Sequence, residues 1–152
     1  MNAARTIDDS LLDQARSRVR GSGARVTFAR VRVLAELMRA GRALSHLEAQ
    51  RRVDDDGSGE AVDRVTLYRV LEWLVEAGLA HRVAGPDRVF RFSASAPGLR
   101  GQHGHFRCTR CDRMYCLQEA NIARLLGASL PAGFSSENVE LTVSGCCAQC
   151  AA

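Results

Sequence analysis

The 152-residue chain contains no lysine: all 21 of its cationic residues other than histidine are arginine. That absence reflects a bias of coding composition and points to no particular function. The chain also lacks any apolar run of 18 residues, which excludes a transmembrane helix. Its opening stretch, MNAARTIDDS, has no apolar segment of the kind a secretory signal requires, so a cytoplasmic location and no membrane partner are expected. No cysteine occurs before residue 108, yet six follow. A scattered disulfide framework is therefore excluded. In a reducing compartment, closely spaced cysteines more often hold metal than form disulfides. There is no internal repeat and no low-complexity tract.

What is present is a foldable chain, 46% apolar, with an uneven charge. Residues 1–100 carry 17 arginines against 13 carboxylates, and residues 101–152 carry 4 of each. A basic N-terminal half is compatible with a nucleic-acid partner.

The first 80 residues read as helices. Ser10 is expected to cap a helix from Leu11 to about Arg20, ended by Gly21 and Gly23. Thr27 precedes FARVRVLAELMRA, where Phe28, Val31, Leu34, Ala35 and Met38 recur at helical spacing. Ser45 begins a shorter helix, SHLEAQRRV. After the loop DDDGSG, AVDRVTLYRVLEWLVEAGL gives a fourth helix with Leu67, Val70, Leu71, Leu74 and Val75 on its apolar face. LAHRV and RVFRFS, separated by AGPD, then predict a two-stranded hairpin.

Helices followed by a hairpin is the order of a winged helix, whose last helix before the wing enters the DNA major groove. On that helix Arg64, Thr66, Tyr68 and Arg69 lie off the apolar stripe and form a solvent-facing row able to reach phosphates and base edges. SASAPGLRG reads as a linker. Beyond it come a short strand with a cysteine knuckle, a helix over EANIARLLGASL and a strand at VELTVSG. That second part is a small α/β unit of about 50 residues, for which a structural metal and a dimer partner are both plausible supports.

Cys108-x-x-Cys111 and Cys147-x-x-Cys150 are the strongest motif. Each turn can place two sulfurs on one ion, and two turns complete a tetrahedron, for which zinc is the natural occupant. Cys146 to Cys150 would be a wider spacing, so Cys147 is the better ligand. Cys116 and four histidines remain. His46 is read as structural or merely exposed. His103 and His105, two apart in an extended segment, point to the same side and could meet one metal. His81 starts the first wing strand. A ligand set drawn from both domains would let metal binding lock their relative orientation, which is what a metal-controlled switch needs.

These residues resemble the ferric uptake regulator (Fur) family. VTLYRVLEWLVEAGL is similar to the recognition-helix motif with its T-V-Y-R core. GARVTFAR resembles an early G-x-[KR]-x-T-x-x-R stretch. HGHFRCTRC matches H-x-H-x-x-C-x-x-C, and GCCAQC matches the terminal G-x-C-x-x-C. The motifs cover about residues 11 to 150.

The resemblance implies an α+β protein: an N-terminal winged-helix DNA-binding domain (residues 1–92), a linker (93–101) and a small α/β metal-binding dimerisation domain (102–152). It implies a homodimer on double-stranded operator DNA, contacted by Tyr68, Arg69 and, near the AT-rich minor groove, Arg25. It also implies that Cys108, Cys111, Cys147 and Cys150 hold structural Zn²⁺.

Iron-sensing members commonly carry a His before the third helix and a Glu in the second wing strand, where this chain has Ala43 and Arg91. Many zinc sensors carry a cysteine near the end of the second wing strand, where Phe92 and Ser93 stand. His81, however, falls where zinc sensors place a His or Asp, and Cys116 where some place an acidic ligand. The expected regulatory set is thus His81, His103, His105 and Cys116, with Glu119 as a substitute or extra ligand. Mixed N and S donors favour regulatory Zn²⁺ over Fe²⁺ or Mn²⁺. The expected function is a zinc-responsive repressor of metal-uptake genes. The alternatives are a sensor of iron, manganese, nickel or peroxide, or a redox-regulated DNA-binding protein with structural zinc only. An enzyme is not expected, since no HExxH or similar motif occurs.

Overall fold

The computed structural model describes residues 7–55, 57, 59–97, 104–117, 130–135 and 141–152. His103, Glu119 and most of the helix expected over 119–130 lie outside the described residues. The chain divides into two compact units, Met1–Ser95 and Ala96–Ala152. The first runs three residues past the expected boundary at 92, because the second wing strand continues to Ala94.

The first unit begins with helices α1 (Asp9–Gly21) and α2 (Phe28–Ala40), the short strand β1 (Leu44–Ser45) and helix α3 (His46–Asp54). Helix α4 (Arg64–Glu76) and strands β2 (Ala80–Ala84) and β3 (Phe90–Ala94) follow. Ser10 does not cap α1. Asp8 does, and its carboxylate accepts the Ser10 backbone N–H at 3.3 Å, so the helix starts earlier than expected. Ser45 caps α3 as expected, inside a full capping box. Its hydroxyl accepts from Glu48 N, and the Glu48 carboxylate accepts from Ser45 N at 2.9 Å.

Helix α2 packs on α1, α3, α4 and β3 at once. It therefore buries more than the stripe that helical periodicity marks: Arg32, Val33, Glu36 and Leu37 are buried alongside Val31, Leu34 and Ala35, while Phe28 at its start stays 39% exposed. Two buried charges on this helix each have a partner. Glu36 binds Arg39 and Arg52 at 2.8 and 3.2 Å, and Arg32 donates to the Val53 carbonyl. Leu67, Val70, Leu71 and Leu74 of α4 and Phe92 of β3 complete the core. Each fully buried side chain of this size contributes about 1.5–3 kcal/mol.

The wing has three strands rather than two, in the order β1-β3-β2 and all antiparallel. Leu44 pairs with Phe92 and Ser45 with Arg91. A two-residue strand is too short to show alternation in sequence.

Among its described residues the second unit has strands β4 (Gly104–Cys108), β5 (Met114–Leu117) and β6 (Leu141–Gly145) and the short helix α5 (Ala148–Ala151). The order is β5-β4-β6, with β4 antiparallel to β5 and parallel to β6. The parallel register sets Cys108 against Gly145, so both cysteine pairs emerge from the same end of the sheet.

Candidate metal centre and nucleic-acid interface

The first CxxC pair sits on a tight turn. The Asp112 N–H donates to the Cys108 carbonyl at 3.0 Å and the Cys108 N–H to the Arg113 carbonyl at 2.9 Å. Asp112 closes the turn at φ 55°, a left-handed conformation that Asp tolerates better than most residues. The second pair is delivered by β6. The Gly145 carbonyl accepts both the backbone N–H and the hydroxyl of Thr109, at 2.8 and 3.2 Å, which ties the knuckle to the strand end. A Cβ at Gly145 would lie 3.2 Å from the Phe106 ring, so glycine suits this close approach. Cys150 rides on α5, whose N-cap is Cys147.

The sulfurs of Cys108, Cys111, Cys147 and Cys150 all lie within 4.8 Å of one another. Cys111 Sγ and Cys147 Sγ are 3.9 Å apart. With about 2.3 Å from metal to each sulfur, a tetrahedron separates its corners by about 3.8 Å, so these residues fit a closed Zn²⁺ site. The Cys147 N–H donates to Cys108 Sγ at 3.4 Å, the kind of outer hydrogen bond that orients a thiolate ligand. That bond holds the Cys108 thiol down at about 6. Hydrogen bonds to Cys147 and Cys111 push Cys150 up to about 12. Cys108 is thus poised to ligate at neutral pH, and a bound cation would favour the deprotonated form of Cys150. Arg110 donates to the Cys150 carbonyl at 2.7 Å, and Arg113 donates to Gln149, which bind the two turns together. Cys146 is exposed and stands outside the four.

His105 and Cys116 are cross-strand partners on β4 and β5, both half-buried, with ligand atoms within 4.8 Å. His81 is a half-buried residue of β2, paired with Ser93, with its Nδ1 3.5 Å from the Ser95 hydroxyl.

On α4, Arg64, Tyr68 and Arg69 are exposed, and Tyr68 is 54% accessible. Thr66 is half-buried, and its hydroxyl donates to Asp63, the N-cap, so it serves the helix start. Arg25 is exposed just before α2, where its carbonyl accepts from Arg30 at 2.7 Å.

Two residues of this face carried no functional signal in the sequence. Asp63 accepts from Val65 N and Thr66 N, each at 3.0 Å. The Thr66 hydroxyl and these amides hold its carboxyl below the ordinary carboxylate range. A carboxyl depressed in the folded state contributes stability above its unfolded pKa and loses it as pH falls through the folded value. Asp63→Ala is therefore expected to lower the urea midpoint at pH 7, and the gap from the parent should close below about pH 4, near the unfolded Asp value. A gap that stays constant across this range would rule the carboxylate out as the cap. The second residue is His46, whose ring stacks on Tyr68 from a different helix. Burial pushes its imidazole down from the ordinary value, with Glu72 opposing.

Among the described residues no helix is long and apolar enough to cross a membrane. No curated protein sequence matches the chain. Solved structures do. Holo XcZur is 25% identical with a TM-score of 0.67, over 95% of this chain and 99% of that one. A zinc uptake regulator complexed with zinc and DNA is 23% identical with a TM-score of 0.64, over 93% of each chain. The ferric uptake regulator of Pseudomonas aeruginosa, solved with manganese, is 26% identical with a TM-score of 0.64, over 88% of this chain and 98% of that one. The fold these share is an N-terminal winged-helix DNA-binding domain followed by a C-terminal dimerisation domain. The model of the ferric uptake regulator family matches residues 21–144. With the four-cysteine cluster and the helix–wing order of its first unit, the chain belongs to the ferric uptake regulator family of metal-responsive transcription regulators.

Proposed function

We propose that the protein is a zinc-responsive repressor that binds operator DNA as a homodimer and shuts off metal-uptake genes when zinc is plentiful. The observation that carries the zinc assignment is Cys116 opposite His105 on adjacent strands. A thiolate beside an imidazole is a donor pair that suits Zn²⁺ better than Fe²⁺ or Mn²⁺. The proposed regulatory set is His81, His103, His105 and Cys116, with Glu119 as a substitute. The set of Cys108, Cys111, Cys147 and Cys150 takes a second, structural Zn²⁺. Arg64, Thr66, Tyr68 and Arg69 of α4 face the major groove in this reading, with Arg25 near the minor groove. The two solved zinc uptake regulators support it, one being a complex with zinc and DNA. A homodimer accords with the small second unit and with exposed Val143 on β6, an edge strand among the described residues.

Bound metal selects, from the orientations the two winged helices sample, the one that fits two half-sites. The test is a titration of gently chelated protein, retaining one zinc per chain, with Zn²⁺, Fe²⁺, Mn²⁺ and Ni²⁺ in turn. Operator binding should return with Zn²⁺ at the lowest free concentration, with two zinc ions counted per chain. Recovery with Fe²⁺ or Mn²⁺ where Zn²⁺ fails would reassign the metal. Binding that ignores chelator but responds to oxidant would favour a thiol switch with structural zinc only.

A further inference from the structure

His46 is the first residue of α3, directly after the Ser45 cap. Its ring touches two others. It lies parallel to Tyr68 of α4, with centroids 4.7 Å apart and planes at 10°. It also meets Phe92 of β3 edge-on, at 4.8 Å and 79°. Phe92 is fully buried and is held by the core, whereas Tyr68 is mostly exposed. The imidazole therefore links a rigid aromatic to an exposed one. Stability alone does not account for a histidine here. Its Nε2 is buried and makes no hydrogen bond among the described residues, a cost an apolar ring would not carry. His46 and Tyr68 line a hollow of about 480 Å³ together with Leu47, Arg64, Val65 and Arg69. Leu47, Val65 and Tyr68 are all more than half exposed, so the hollow presents apolar surface beside the two arginines.

An exposed tyrosine samples several rotamers, and docking it against a base would require freezing one of them. The stack on His46 freezes it beforehand. We infer that His46 is a positioning residue for sequence readout: it fixes the Tyr68 ring in the orientation from which α4 reads base edges. This inference rests on the reading of α4 as the DNA-contacting helix. Its effect falls on sequence preference, since phosphate contacts by Arg64 and Arg69 do not depend on where the tyrosine points.

The experiment uses the zinc-loaded, full-length protein and two duplexes: an operator selected by the parent from a random pool, and a scrambled sequence of the same length. His46→Ala should weaken operator binding about 2- to 12-fold, the range of an aromatic pair, and leave scrambled binding unchanged. His46→Phe, which keeps a ring in place, should restore operator binding. In a Tyr68→Ala background, His46→Ala should have no further effect. Additive losses, or no rescue by Phe, would mean that His46 contacts DNA itself or only supports the fold, and would overturn the inference. A DNA-free measurement separates the layers. In protein with ring-labelled tyrosine, His46→Ala should shift the Tyr68 ring resonances toward those of an unstacked ring and leave Tyr115 in place. Unmoved Tyr68 resonances would overturn the stack even if α4 proves to bind DNA. Operator binding indifferent to Tyr68→Ala would remove the reading of α4 and the inference with it, while the resonance shift would still report the stack.

Discussion

Replacing Cys108 with serine is expected to unfold the second unit while the first stays folded. The unit's described residues bury few large side chains: Met114 is the main one, beside Cys108 and Cys147 themselves. A domain of about 50 residues depends on its cross-links. Structural zinc in small domains supplies about 10–16 kcal/mol of apparent binding energy, which becomes folding energy when no site exists in the unfolded chain. Cys108 is also the best prepared of the four ligands, with the Cys147 amide on its sulfur. Its loss replaces a thiolate ligand with a neutral hydroxyl, which holds Zn²⁺ poorly. The first unit has its own core around Leu34, Leu71, Leu74 and Phe92. Thermal unfolding should therefore show the first unit melting near its usual temperature, with the second unit's transition absent, the bound zinc reduced and the dimer dissociated. A stable, zinc-free dimer of Cys108→Ser would refute the structural role.

Cys116→Ser should do the opposite, leaving the fold and the dimer intact and removing the response to zinc. The exchange is nearly isosteric and sits on a half-buried strand position opposite His105. What changes is the donor: a soft thiolate becomes a neutral hydroxyl that binds Zn²⁺ poorly. Coupling between metal and DNA of about 1–3 kcal/mol corresponds to an affinity change of about 5- to 150-fold, and that difference between zinc-loaded and zinc-depleted protein should disappear. Binding isotherms on one operator with and without added zinc measure it. A variant that still gains the full factor would show that the thiol is no sensor ligand. The two substitutions together separate the two sites, since one acts on the melting curve and the other on the zinc dependence alone.

Some of this was legible in the sequence and some was not, for physical reasons. Local signals transferred well. Ser45 marked the start of α3, and the α4 stripe from Leu67 to Leu74 became core. At α1 two capping residues competed, and Asp8 prevailed over Ser10 because its carboxylate can accept an amide two residues on. Burial of Arg32 and Glu36 was not legible, since periodicity reports one face and α2 is enclosed on several. Strand β1 was missed because pairing, rather than composition, makes Leu44 and Ser45 a strand. Each CxxC was visible as a turn. That the two turns meet on one ion was expected from their donor types, but the parallel pairing of β4 and β6 that brings them together is encoded by no local pattern. The His46–Tyr68 stack joins two helices and likewise left no trace in spacing.

Cys111 and Cys147 stand 36 positions apart. An ion held by both turns the stretch between them into a closed ring. Because the unfolded chain holds no such ion, ring closure is a cost that metal binding offsets on folding. That cost varies only with the logarithm of ring length. The segment between β5 and β6 can thus lengthen or shorten over evolution with little thermodynamic consequence, so long as the four sulfurs still close the ring.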